Sequence, residues 1–157
     1  MKGISTMRRV VTGTNTAGKA VFTHIEEIEP FVAPSNIERY DIWGWDELPS
    51  LPYLHESRYV SGEYPVHPPA PGVRVVTTVF PPGWGVDDDG PGRHLTDTVD
   101  IAFVLSGEVE LEQDDGVVVT LRAGDHLIQN GALHLWRNRG TLPCIVGFVV
   151  FGVERRA

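Results

Sequence analysis

Two short stretches of the chain carry the residue types that metal and acid–base chemistry require. In Arg93-His94-Leu95-Thr96-Asp97-Thr98-Val99-Asp100, the two-residue period of a strand places His94, Thr96, Thr98 and Asp100 on one face. An imidazole and a carboxylate then point the same way, and the polar row runs directly into the apolar segment 101–105. Such a row is odd for an ordinary core unless it lines a cavity or holds something, because buried polar groups need partners. In Gly131-Ala132-Leu133-His134-Leu135-Trp136-Arg137-Asn138, the same alternation groups His134, Trp136 and Asn138. If a closed barrel makes these strands neighbours, His94, Asp100 and His134 converge on one ion from the inside. Two imidazoles and a carboxylate suit Fe(II) first and Mn, Ni, Zn or Cu less selectively, and leave positions open for substrate or O₂. Histidines in strands are also commonly packed without ligating anything, and spacing alone does not separate the two cases.

Several other residues qualify as candidates. Gln129 could give an oxygen to the site or support a ligand from behind; a plain strand-end amide fits equally. His126, after the Gly124-Asp125 turn, is a candidate general base near neutral pH, although an exposed structural histidine suits that position as well. Trp136 and Trp84 could wall a substrate pocket, and Thr96 could contact the substrate or tune the ion. Asp97 alternates away from His94 and reads as a solvated carboxylate beside Arg93, with a fallback role as ligand if a bulge before Val99 turns it inward. Arg137 alternates outward, His55 and His67 read as surface residues, and Cys144 reads as a small buried hydrophobe. The acidic run Asp87-Asp88-Asp89 before Gly90-Pro91-Gly92 lacks the later glutamate of a calcium loop and reads as a loop at a cavity mouth.

The elements that must position these residues are strands. Seventeen Gly and 12 Pro punctuate short apolar segments, and no long helical periodicity is present. From Gly72 onward the expected strands are 73–80, 99–105, 108–113, 117–122, 126–129, 133–138 and 144–151, separated by turn clusters such as Asp114-Asp115-Gly116. The fold class is all-β, a sandwich or barrel. Upstream, 9–12, 19–23 and 37–43 are further candidate strands. Residues 48–72, crowded with proline and aromatics, read as an extended arm because proline removes a ladder donor. The expected organisation is one structural domain: N-terminal strands and arm over 1–72, packed on a barrel core over 73–157.

Residues from about 73 to 151 resemble a small single-domain cupin. The family pattern is G-x5-H-x-H-x3-4-E-x6-G, followed by G-x5-P-x-G-x2-H-x3-N. His94 falls in register with its first histidine, Asp100 with its glutamate and Gly107 with its closing glycine, while Gly131, His134 and Asn138 reproduce the end of the second motif. Four departures stand out: Thr96 occupies the second histidine's place, Asp100 is one methylene shorter than glutamate, Gln129 stands where proline is expected, and the interval from Gly124 to His134 is one residue short. The resemblance implies a double-stranded β-helix (jelly-roll) barrel, usually a homodimer, with a divalent transition metal inside.

On that resemblance, His94, Asp100 and His134 are the expected metal ligands, and the activity is expected to be that of a dioxygenase or of a lyase, isomerase or decarboxylase acting on a small oxygenated molecule. A non-catalytic ligand-binding or regulatory cupin is the alternative, favoured by Thr96. Thirteen Lys+Arg against 21 Asp+Glu give a net charge of −8, which repels nucleic acid and anionic membranes. One cysteine excludes an internal disulfide framework. With no apolar run in residues 1–11 and no stretch near ~18 apolar residues, the expected location is the cytoplasm.

Overall fold

The computed structural model describes residues 6–33, 35–52, 59, 62–87 and 92–156. Eleven strands follow in chain order: β1 (Met7–Thr14), β2 (Ala20–Ile28), β3 (Phe31–Val32), β4 (Glu38–Trp45), β5 (Val73–Phe80), β6 (Thr98–Ser106), β7 (Glu108–Gln113), β8 (Val118–Arg122), β9 (His126–Gln129), β10 (His134–Arg137) and β11 (Cys144–Gly152). No helix occurs among the described residues, so none is long and apolar enough to cross a membrane. The strands are rich in Val, Ile, Phe and Thr, whose branched or aromatic side chains suit a pleated, half-buried surface.

A six-stranded sheet, ordered β3-β4-β5-β11-β6-β9, faces a three-stranded sheet, β10-β7-β8. Ala102, Val104 and Val146 from the first sheet and Val109, Leu111, Leu121 and Trp136 from the second join one core cluster. Each such side chain contributes roughly 1.5–3 kcal/mol on burial. The 107 turn joins the sheets in a confined space: Gly107 has φ 76°, and a Cβ there would lie 2.6 Å from the Pro143 carbonyl oxygen, so only glycine fits without strain.

The N-terminal third is partly woven into this barrel. β4 pairs antiparallel with β5, with Arg39 opposite Thr78 and Tyr40 opposite Thr77. The β1–β2 hairpin covers the outer face of the same sheet: Ile28 packs with Tyr40 and Val79, and with Met7, Ile42 and Ile145. Arg9, 5% exposed, fastens it by donating to the carbonyls of Ile42 and Tyr59 at 3.0 and 2.9 Å. β2 runs five residues beyond the expected 19–23, to Ile28, because its pairing with β1 continues to Met7.

The described residues of the arm, 48–52, 59 and 62–72, contain no strand. Arg74, 1% exposed, pins it by donating to the Pro65 carbonyl at 3.2 Å, to Trp45 O at 2.9 Å and to Asp46 Oδ1 at 2.5 Å. The far end is tied by the Gly152 amide donating to Gly72 O at 2.8 Å. A Cβ on Gly152 would collide with the carbonyls of Pro68 and Pro69, so this glycine allows the arm to cross the end of β11.

Candidate functional site

The barrel encloses a cavity of about 610 Å³. Phe80, Trp84, Trp136 and Phe148 form its apolar walls, and the polar groups His67, His94, Thr96, Asp100 and His134 also line it. Trp136 stacks on Phe80 with centroids 5.7 Å apart and meets His134 edge-on at 6.3 Å.

The alternation expected over residues 94–100 holds in burial although a continuous strand does not. Thr96 and Thr98 are buried, His94 and Asp100 half-buried, and Leu95 and Asp97 exposed. β6 begins only at Thr98; His94 sits in an isolated antiparallel bridge with His134. Their backbones exchange hydrogen bonds of 3.0 and 2.9 Å, and their ring centroids are 4.5 Å apart. His94 Nδ1 lies 2.9 Å from Gly92 O and His134 Nδ1 lies 2.7 Å from Ala132 O. A carbonyl oxygen only accepts, so both Nδ1 atoms carry a proton; when the rings are neutral this leaves the lone pair on Nε2, the tautomer a metal ligand needs.

Asp100 extends the polar wall. Its Oδ1 is buried without a hydrogen-bond partner. Burial pushes its carboxyl pKa up, against a Thr98 hydroxyl hydrogen bond and the fields of His67, His134 and His94, which pull it down. Burial lowers the pKa of His134, opposed by its bond to Ala132 and by Asp100's charge. His67 is lowered by burial too, and Asp100 again opposes. Thr98 Oγ1 and Thr96 Oγ1 are hydrogen-bonded at 2.8 Å, so the Thr96 hydroxyl belongs to this polar row.

An orphaned buried carboxylate oxygen and two lone-pair imidazole nitrogens are the donor chemistry a divalent transition metal takes. The histidine pair is the part of that set drawn into contact. Among the described residues no three His, Cys, Asp or Glu side chains are gathered closely enough to hold an ion. The fit is therefore a two-nitrogen seat with an unpartnered carboxylate on the same cavity wall.

Other candidates fall elsewhere. His126 is exposed and packs edge-on against Phe103 at 5.2 Å, outside the cavity lining, which corrects its reading as a general base. The cause is strand parity: Phe103 and His126 are paired, and Phe103 alternates with the inward Ala102 and Val104. Gln129 is 5% exposed, directly opposite Asp100 in the β6–β9 ladder, with its Nε2 unpartnered; it stands beside Asp100 on the same face of the sheet and is not among the residues lining the cavity. Asn138 is fully buried as a structural clamp, donating to Phe80 O and Leu142 O at 2.9 Å each and accepting from the Gly140 amide at 2.9 Å. Asp97 pairs with Arg155 at 2.5 Å, while Arg93 and Arg137 both pair with Glu112.

Sequence reasoning missed two cavity residues. His67 was expected at the surface and lines the cavity instead, because both ends of the arm are tied to the barrel. Arg39, on β4, also lines it. His55 and residues 88–91 lie outside the described residues.

Residues 76–151 match the family model of the cupin domain, Cupin_2. The chain belongs to the cupin family. This cupin is 30% identical over 144 residues to phomopsin biosynthesis cluster protein D of Diaporthe leptostromiformis, covering 87% of this chain and 72% of that one. It is 41% identical over 75 residues to oryzines biosynthesis cluster protein J of Aspergillus oryzae, covering 46% of this chain and 39% of that one. Among solved structures, a Cupin 2 conserved barrel domain protein from Salinispora arenicola CNS-205 aligns with a TM-score of 0.51 at 18% identity, covering 78% of this chain and 81% of that one. That likeness supports the cupin barrel as the fold. His67 and Arg39 lie upstream of the matched residues 76–151, so this cupin lines its cavity in part with residues outside the family motif.

Proposed function

We propose that this cupin is an enzyme of small-molecule biosynthesis that acts on an oxygenated organic compound in the barrel cavity, with His94 and His134 seating a divalent transition metal. The observation that carries the reading is the facing imidazole pair, both Nδ1 atoms tied to backbone carbonyls. Relatives named for biosynthesis clusters support the setting. Asp100, on the same wall, offers its unpartnered oxygen as a third donor or as a proton acceptor.

A bound metal would supply Lewis-acid polarisation of a substrate oxygen, or O₂ chemistry if it is Fe(II). The chain's own contribution is positional. Trp84, Trp136, Phe80 and Phe148 exclude water and grip an apolar body, which strengthens every polar interaction inside. Burial keeps His67 and His134 toward their neutral forms, so His134 retains the Nε2 lone pair that a metal would take and His67 can accept a proton from a bound molecule.

That no third His, Cys, Asp or Glu among the described residues joins the histidine pair favours a second reading, a cupin that binds a small ligand without metal or turnover. Metal analysis of protein purified without a histidine tag decides between them. Near one equivalent of a transition metal supports the enzyme; less than about a tenth of an equivalent, unchanged after reconstitution, supports the binding module. Oxygen uptake against anaerobic turnover then separates dioxygenase from lyase or isomerase chemistry. A homodimer belongs to the same reading, supported by Leu105 and Ile128, exposed at 58% and 56% on the neighbouring strands β6 and β9; light scattering tests it.

A further inference from the structure

We propose that the cavity takes a carboxylic acid with an apolar body, and that Arg39 receives its carboxylate. This rests on the small-molecule reading above and narrows it to a substrate class. Among the described lining residues Arg39 is the one Lys or Arg. Register places it there: Arg39 is opposite Thr78, on the face of β5 that turns Val76, Thr78 and Phe80 into the cavity.

The guanidinium is held before any ligand arrives. Its Nε and Nη2 donate to the two oxygens of Asp41 at 2.6 and 3.1 Å, and its centre lies 5.1 Å from the Phe31 ring centroid. Nη1 has no protein partner among the described residues. A fork fixed in this way loses little further freedom when it binds an anion. Asp41 is 1% exposed and also accepts the Gly62 amide at 2.7 Å, so Arg39 is not its sole partner. Salt-bridging Asp41 does not require the arginine to open onto a cavity; receiving a ligand does.

The remaining lining divides the ligand into parts. Asp100 is the one carboxylate of the described lining and stands with the histidines, where it repels a second carboxylate and leaves Arg39 as the anion's seat. The aromatic walls between take the apolar body. Arg39 precedes the residues matched by the cupin model, so acid recognition would be a property of this chain's N-terminal strands, separate from the histidine wall.

The test uses 3-phenylpropanoate and its uncharged amide, 3-phenylpropanamide, titrated into the full chain while the fluorescence of the cavity tryptophans is read. The acid should bind about tenfold tighter than the amide, the margin of one charge-assisted hydrogen bond. Arg39→Gln should bring that ratio to about one while leaving the amide's affinity and the metal content unchanged, and Arg39→Lys should retain part of the preference. Because Arg39→Gln removes an ion-pair partner from the buried Asp41, the double variant Arg39→Gln/Asp41→Asn is measured beside it. The proposal is overturned if acid and amide bind equally, if neither binds at millimolar concentration, or if the folded variants keep the preference. Titrations before and after chelation keep this separate from the metal question. A preference that survives chelation and is lost with Arg39 supports the proposal even in a metal-free protein. One lost on chelation and retained without Arg39 assigns the carboxylate to the metal and overturns it.

Discussion

His94 and His134 lie in different segments, 40 residues apart in number, yet exchange a pair of backbone hydrogen bonds of 3.0 and 2.9 Å that sets their rings 4.5 Å apart. The bridge belongs to the backbone, so it does not depend on either side chain. His94→Ala and His134→Ala should therefore leave the thermal midpoint within a few degrees of wild type while each weakens Co(II) binding by about 100-fold or more, since one of two nitrogen donors is lost. Calorimetric titration with Co(II) checks this; an unchanged affinity in both variants would remove the metal seat.

Asp100 should cost the protein stability. Burial penalises its charged form and its Oδ1 has no hydrogen-bond partner, so Asp100→Asn is expected to raise the metal-free midpoint at neutral pH by about 2–5 °C. The raised folded pKa sets the sign: any stability tied to the protonated carboxyl is complete below the unfolded pKa and is lost as pH rises. The advantage of the asparagine should thus shrink toward acid. Thermal melts at several pH values would show it, and a lower midpoint at neutral pH would contradict it.

Asn138→Ala removes two donated hydrogen bonds and one accepted bond from a fully buried site. Leaving the Phe80 and Leu142 carbonyls and the Gly140 amide without it should destabilise the chain by about 2–4 kcal/mol, read from urea unfolding. Metal affinity of the folded fraction should stay near wild type, which distinguishes a clamp from a site residue.

Tyr59, 6% exposed and stacked on Tyr64 with ring centroids 4.7 Å apart, has its pKa pushed up by burial to about 12. Its contribution to stability is fully present below the unfolded pKa near 10 and is lost as pH rises through about 12. Tyr59→Phe should accordingly flatten the fall in thermal midpoint between those pH values. An equally steep alkaline fall in the variant would show that Tyr59 is not the group responsible.

How far these features could be read from the residues alone differs from one to the next. The polar row from His94 to Asp100 was legible because side-chain alternation is a local property of an extended backbone, and it persists in burial even where the ladder gives way to a single bridge. Gln129 illustrates the boundary: the residue was visible as a candidate, but its place beside Asp100 on one face of the sheet follows from the β6–β9 register. His126 failed as a site residue because alternation groups residues by face without saying which face is inside.

By itself, the sequence determined the all-β class, the turns marked by glycine, and the segments carrying His94, Asp100 and His134, since each of these depends on neighbours a few residues away. Only the tertiary structure decided that the histidines meet while, among the described residues, no third acidic or imidazole ligand closes on them, and that His67 and Arg39 share their cavity. His67 is carried inward by an arm without periodicity, held through Arg74 and Gly152. Arg39 is turned inward by the pairing of β4 with β5. Both placements rest on contacts between segments distant along the chain, and no local pattern encodes the direction in which such contacts pull a side chain.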